Sequence, residues 1–488
     1  MPKFVILWTD AAIWLLLLAV LAYAVMVLRK PQLAANWGRV FRNAPALASS
    51  MVLLLCLLVT LLDSVHYRPR LRSLPDSTGV NNAAVAYEAR TLSLLDAALR
   101  GLVDAREETY SRPLSYLGFT KASLLVNGEV QRVAPRLQFG GVHLKQPETE
   151  WAGDLAVRGA KGLVLGLFLA LAVGALGVGL VARGAGQPLV ATWQRIRARQ
   201  TAVPWHVALL TLAAMCLLAG PAAMLSGPYH LLGTDLTGND VLYQSLKSIR
   251  TAFVIGTLAT VATLPLAVVL GLLAGYFRGW VDEVIQYIYT VLSSVPNVLL
   301  IAACVLMVQV FLDKNPDLFE TGAERADLKL FLLCVVLGVT GWAGLCRLLR
   351  GETLKLRELD YVQAASAFGV SDARIMSRHI FPNVAHLMLI VTVLEFSSLI
   401  LYEAVLSYVG VGVDPSMNSF GGMINLARNE MSRDPVVWWS FASAFGFMVT
   451  LVLAANLFAD GVRDAFDPRA RVLRSRRVAH ATPARKAA

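Results

Sequence analysis

The stretch RLLRGETLKLRELDYVQAASAFGVSDARIMSRHIFP, residues 347–382, decides how the chain is read. It is polar and carries a bend, yet it lies between two apolar blocks, Leu330–Leu348 before it and Val384–Tyr408 after it. Thr353 to Ala367 contains few helix breakers. Gly369-Val370 then interrupts, Ser371 is placed to cap a second short helix over Asp372 to His379, and Asp372 suits the positive end of that helix dipole. Gly369 accepts a φ that a Cβ resists, and Pro382, lacking an N–H, suits the first turn of the next apolar helix. Ala364, Ala365, Ser366 and Ala367 leave a knob of little bulk at the bend. Such a shape fits a groove on another protein better than it fits a catalyst.

The flanking blocks belong to a pattern that fills the chain. Of 488 residues, 56% are hydrophobic and only 16% charged, against roughly 45–50% and 25% in soluble proteins. The apolar residues gather in blocks of about 18–25, the length that crosses a ~30 Å hydrocarbon core. Nine spans are expected: Ala11–Leu28, Pro45–Leu62, Lys161–Ala182, Trp205–Leu225, Ala252–Tyr276, Val284–Leu312, Leu330–Leu348, Val384–Tyr408 and Trp438–Phe458. The fold class is therefore an all-α integral membrane protein.

Basic residues set its orientation, because Lys and Arg collect on the cytoplasmic side. Arg29, Lys30, Arg39 and Arg42 follow the first span and Arg183, Arg195, Arg197 and Arg199 the third, with no acid among either set. After Asp460 come eight basic residues against Asp464 and Asp467, so the three stretches carry a net +14, more than the whole chain's +11. Asp313 to Lys329 instead holds five acids and three bases. Nine spans with the N-terminus outside and the C-terminus inside put every one of these segments on its expected face. The charge thus reports sidedness and contact with membrane lipids, not nucleic acid, since no aromatic or Gly-rich platform accompanies the basic tail. Ala22-Tyr23-Ala24 resembles a leader cleavage site, but the apolar run continues to Leu28, so the first span is expected to be retained.

Several chemistries are absent. There is no GxxxxGK[ST], no HExxH and no GxSxG, the histidines are scattered, and the five cysteines lie in apolar blocks without CxxC spacing. The expectation is a chain with no catalytic residue, metal or cofactor of its own. Glu395 and Glu403 are the ionisable residues that stand out inside a span, as candidates for pathway-lining or bundle-polar positions.

Tyr361-Val362-Gln363-Ala364-Ala365, Gly369 and Arg378-His379-Ile380-Phe381-Pro382-Asn383 resemble the EAA loop of bacterial ABC-importer permeases of the dipeptide/oligopeptide/nickel type. Four further stretches agree in order. They are His230-Leu231-Leu232-Gly233-Thr234-Asp235 with Gly238 and Asp240-Val241; Arg250-Thr251; Glu403-Ala404-Val405-Leu406-Ser407-Tyr408-Val409-Gly410-Val411-Gly412; and Asn456-Leu457 with Asp460-Gly461-Val462-Arg463-Asp464-Ala465-Phe466-Asp467-Pro468. The resemblance covers about half the chain. It implies a permease subunit, with a cytoplasmic loop docking on ABC ATPase subunits, a second homologous permease, an extracytoplasmic substrate-binding protein, and residence in a bacterial inner membrane. Carried over by position, docking falls to Tyr361, Val362, Gln363, Ala364, Ala365, Gly369 and Pro382. The family usually has Glu where this chain has Gln363, which removes a charge and keeps the shape.

Family members typically have six spans, so the organisation expected is residues 1–62 as two membrane helices, 63–159 as an outer α+β domain, 160–228 as two more helices, 229–469 as the permease core with its loop at 350–382, and 470–488 as a basic tail. The outer segment has 12 bases and 11 acids, a helix expected over Ala83 to Arg106, and strands Ala122–Val126 and Val130–Val133 around Asn127-Gly128. The extra spans are either the first helix plus an inserted pair, or three spans prefixed to a six-span core. Two other readings fit parts of the pattern. An ion-coupled carrier would need paired midplane carboxylates, and a receptor or scaffold would rely on the outer domain.

Overall fold

The computed structural model describes residues 2–70, 87–126 and 129–466; the tail 470–488, Asp467, Pro468 and the Asn127-Gly128 turn lie outside them. In chain order come β1 (Lys3–Val5), α1 (Trp8–Arg29), α2 (Pro31–Val40), α3 (Ala44–Asp63), β2 (His66–Arg68), β3 (Leu92–Ser93), α4 (Leu94–Ala98), α5 (Arg100–Asp104), β4 (Ala122–Val126) and β5 (Glu129–Val133). The helices α6 (Pro147–Ala185), α7 (Leu189–Arg197), α8 (Trp205–Leu225), α9 (Val241–Phe277), α10 (Gly279–Ser294), α11 (Asn297–Lys314), α12 (Gly322–Gly341) and α13 (Ala343–Arg357) follow. The described chain ends with α14 (Asp360–Ala367), α15 (Asp372–Ile375), α16 (Phe381–Val409), α17 (Phe420–Glu430) and α18 (Trp439–Phe466). Among the described residues eight helices are long and apolar enough to cross a membrane, and nine crossings result if α12 and α13, bent by 42°, count as one. The all-α membrane class stands.

Two expected elements are corrected. The block Val284–Leu312 is not one span: Pro296 has no N–H and forces Val295 extended (φ −86°, ψ 133°), so the chain breaks into α10 and α11. Asp282 and Glu283 keep α10 at the polar end of the bundle, and α11 alone crosses. In the outer segment, the described part of Ala83 to Arg106 is not one helix but an isolated bridge at Tyr87, β3 and the two five-residue helices α4 and α5. The hairpin β4–β5 forms as expected, pairing Ala122 with Val133 and Val126 with Glu129.

Packing separates the extra spans. α3 lies between α9 and α18, while α1 touches α9 and α12. The small crossing of α3 with α18 is set by Gly461, where a Cβ would stand 2.4 Å from that of Ala46. The hairpin α6–α8 packs mostly on itself through Gly162, Gly166 and Gly220; a Cβ on Gly166 would meet the Cys216 carbonyl at 2.5 Å. It reaches the rest of the bundle through α8 against α3. α1 and α3 are thus part of the core, and α6–α8 is peripheral to it. Helix α6 begins at Pro147, so residue 159 falls inside a continuous helix.

At one end of the bundle the N-terminal strand β1 pairs antiparallel with β2, and β2 with β3. Beneath this sheet sit buried charges. The Arg250 guanidinium donates to Asp10 (2.6 Å) and Thr9 (2.9 Å) and lies 3.5 Å from Asp327, while His66 meets Asp10 at 2.7 Å. Lys247 donates to Asp63 (3.1 Å) and Asp96 (2.9 Å). Each cation has at least two carboxylates, which is what lets it leave water. The first span is held in the fold by these bonds from Thr9 and Asp10.

Candidate functional site

The loop between α13 and α16 lies at the opposite end of the bundle. α14 ends in a Schellman turn: the Gly369 N–H donates to the Ser366 carbonyl (3.0 Å) and the Val370 N–H to that of Ala365 (3.1 Å), with Gly369 at φ +74°. No atom lies within 4 Å of a Cβ built on Gly369, so it is the positive φ, not crowding, that favours glycine. The expected helix Asp372 to His379 is corrected to one α turn, α15, followed by a π-type turn Met376–Ile380 that runs straight into α16. Ser371 stands at the N-cap without a side-chain bond, and Pro382 occupies the first turn of α16.

The predicted docking residues divide by exposure. Val362 is buried, in one apolar cluster with Ile375, Ile380, Leu349 and Val384, so it ties the loop to the bundle from inside. Tyr361, Gln363, Ala364, Gly369 and Pro382 are exposed and Ala365 is half-buried. Gln363 Nε2 donates to the Glu358 carbonyl at 3.3 Å, and the Tyr361 hydroxyl accepts from Asn383 Nδ2 at 3.1 Å. Phe368, which residue-by-residue matching passed over, is 88% exposed at the tip beside Gly369. This ring gives the tip one large apolar contact point among small residues. Only its position before the glycine could have signalled it.

The loop is braced from behind. Tyr276, at the end of α9, donates to Asp372 (2.7 Å) and its carbonyl accepts from Arg357; Arg278 pairs with Glu358. Arg350 on α13 grips Asp282 on α10 through two N–H bonds of 2.5 and 2.7 Å, which holds the Asp282 carboxyl below its ordinary range despite partial burial. Gly271 and Gly275 let α9 close on α13, since Cβ atoms there would meet Leu349 at 2.9 Å and Thr353 at 2.5 Å.

Glu403 is buried and accepts from Ser407 Oγ at 2.7 Å, a bond within its own helix. Glu395 is exposed, eight residues away on the same helix, and the two do not meet.

The other polar centre was missed by sequence reasoning. His230 is buried between Asp240, at 2.8 Å from Nδ1, and Glu107, at 3.3 Å from Nε2. Glu107 also accepts the N–H groups of Gln138, Phe139 and Gly140 at 2.9–3.0 Å. Burial opposes charge on both partners, but these bonds prevail: the His230 pKa rises to about 9 and that of Glu107 falls to about 2. Thr234 adds bonds to Ser111, and Trp439 packs on Phe119 at 5.1 Å. The outer segment is therefore clasped to the core. His230 was legible as part of a motif, but Glu107 lies 123 residues away with no local pattern to mark it.

Residues 267–472 match the family model described as "Binding-protein-dependent transport system inner membrane component". An oligopeptide transport system permease protein, OppC, of Mycobacterium bovis is 33% identical over 248 residues, 51% of this chain and 79% of the relative. OppC of Haemophilus influenzae is 31% identical, with 50% of this chain and 71% of the relative covered. A glutathione transport system permease protein, GsiD, of Pectobacterium atrosepticum is 32% identical, with 49% and 73% covered. A solved inward-facing MetNI methionine ABC transporter overlays 46% of this chain and 96% of its own at a TM-score of 0.34 and 16% identity. The chain is a multi-pass permease component and belongs to the binding-protein-dependent ABC importer family. The resemblance carried by the five motifs is borne out, and the matched regions cover about half of this chain.

Proposed function

We propose that the chain is one of two permease subunits of an ATP-driven importer for peptides or similar small solutes, and that α14 with its Gly369 turn couples it to an ATPase. The observation that carries this reading is the exposed Phe368 at the tip of a helix whose inner side, Val362, is locked into the bundle core. A force applied at Phe368 reaches α9, α13 and α16 through packed contacts and the Tyr276–Asp372 bond, while the surface presented to a partner stays small and shallow. ATPase closure would pull this loop and rock the spans between two access states. The basic segments support a cytoplasmic loop and C-terminus with the N-terminus outside, where a binding protein would deliver solute. Names of the relatives support peptide-like cargo. The boundaries 1–62, 63–159, 160–228, 229–469 and 470–488 serve as units of sequence in this scheme, with 63–159 a clasped outer attachment.

The test is Phe368→Asp and Ala365→Asp in the intact transporter, scored by co-purification of the ATPase subunits and by solute uptake. Both readouts are expected to fall together while Val384→Ala, inside the bundle, leaves ATPase co-purification in place. Retained co-purification and uptake in Phe368→Asp and Ala365→Asp would remove the coupling assignment.

A further inference from the structure

Glu395 is residue 15 of the 29-residue helix α16, so about 21 Å of helix lies on either side of it and its Cα sits near the bilayer midplane. Among the described residues no side chain hydrogen-bonds or ion-pairs with its carboxylate. The rest of the helix explains why. α16 packs with Phe396 against Phe253 of α9 (5.3 Å), with Ser397 donating to Asn456 of α18 (2.6 Å), and with Glu403 and Ser407 turned inward. At 100° per residue Glu395, Ser398, Tyr402 and Val405 fall on one strip about 80° wide that points away from these neighbours. Glu395, Ser398 and Val405 on that strip are exposed and Tyr402 is half-buried. Three polar side chains, Glu395, Ser398 and Tyr402, thus follow one another in the middle of a strip whose two ends, Leu387 and Val391 before them and Val405 and Val409 after them, are apolar.

A carboxylate held toward lipid at this depth costs several kcal/mol, which is why such groups face a water-filled cavity or a partner. Resting on the permease reading above, we propose that the Glu395 strip lines a water-filled path between this chain and its partner permease, and that the Glu395 carboxylate favours solutes presenting a cationic group, such as the free amino terminus of a peptide. Acidic side chains facing a pore select cations in the same way. The paired Glu403 takes no part, because its oxygen is already bonded inside the bundle.

The experiment uses the assembled transporter in native membrane vesicles with Ser398→Cys as the probe, and labelling at position 398 is read by peptide mass spectrometry so that the native cysteines stay in place. With each rate divided by that reagent's rate on a small free thiol in solution, cationic methanethiosulfonate ethyltrimethylammonium is expected to label S398C about tenfold faster than the anionic ethylsulfonate reagent, and this preference is expected to vanish in E395Q/S398C. Equal rates for the two reagents with Glu395 present would overturn the proposal. So would labelling by membrane-permeant N-ethylmaleimide alone, which would place the strip in lipid or in a dry interface. Labelling needs neither solute nor ATP. ATPase co-purification from the same vesicles therefore scores the permease reading separately.

Discussion

Replacing Glu107 with Gln tests the outer clasp at one atom. The carboxylate accepts N–H bonds from Gln138, Phe139 and Gly140 and faces the His230 imidazolium; the amide keeps the shape, loses the charge and turns an NH2 toward groups that are themselves donors. The fall of the Glu107 pKa from 4.5 to about 2 measures how much the folded site prefers the ionised form. At about 1.4 kcal/mol per unit this is ~3 kcal/mol, within the range for breaking one side of a buried pair. The same ion pair underlies the rise at His230, so the two shifts are counted once. Opening of the clasp should therefore become about a hundredfold more frequent, read as faster amide exchange at Phe139 and Gly140. The pH dependence has a definite sign. Glu107 is lowered, so its contribution is complete above pH 4.5 and lost toward pH 2; His230 is raised from 6.5 to about 9, so its contribution is complete below pH 6.5 and lost as pH rises through 9. Wild-type protection should be maximal between about pH 4.5 and 6.5 and fall on both sides, and E107Q should lose less on the alkaline side and complete that loss at lower pH, because Asp240 alone then holds the imidazolium. Unchanged protection at Phe139 and Gly140 across this range would refute the argument.

Other changes report on other joints. Asp10→Asn leaves buried Arg250, among the described residues, with Asp327 at 3.5 Å as its remaining paired carboxylate, and should lower stability by ~3 kcal/mol, seen as earlier thermal unfolding in detergent. Gly461→Leu drives a side chain into Ala46, whose Cβ is 2.4 Å from the position of the new Cβ, at a cost of about 1–3 kcal/mol; Ala46→Gly in the same chain should recover part of the lost unfolding temperature. Gly369→Val meets no atoms but must hold φ near +74°, so about 1–2 kcal/mol of local strain should appear as faster exchange of the Val370 N–H with no change in global unfolding.

Much of this architecture is written in short-range patterns. Apolar run length places the spans because each crossing helix must satisfy its own backbone in lipid. The Gly369 turn and the Pro382 entry were readable because backbone geometry restricts which residues fit. The sequence reading failed where a single feature outweighs a long run: Pro296 divides an otherwise continuous apolar block, and the hydrophobic count alone does not register it. It failed again where partners are distant. Glu107 with His230, Arg68 with Glu324 (2.6 Å) and Thr9 with Asp327 (2.9 Å from its N–H) are separated by 123 to 318 residues, and no periodicity links them. The buried position of Val362 within a motif read as a docking surface shows the same limit, since a motif gives residue types and not the face each one presents.

The two polar ends are joined by α9. Its 37 residues extend about 55 Å, well beyond a ~30 Å hydrocarbon core, so both tips stand in polar surroundings. Asp240 at its N-cap also holds His230, and Arg250 and Lys247 enter the outer charge clusters. Tyr276 at the other tip bonds Asp372 in the exposed loop. Between them Pro265 removes one backbone N–H inside the helix, the place where such a rod bends at least cost. Below that point Gly271 and Gly275 clamp α9 to α13, and the Tyr276 contacts add the loop, so in the proposed mechanism a pull on the loop moves lower α9, α13 and α14 as one body. Above it the buried ion pairs oppose movement, since separating them would strand charges out of water. In that proposed mechanism rotation is therefore expected about Pro265, carrying the loop-side halves of the helices while the Glu107–His230 clasp keeps its bonds.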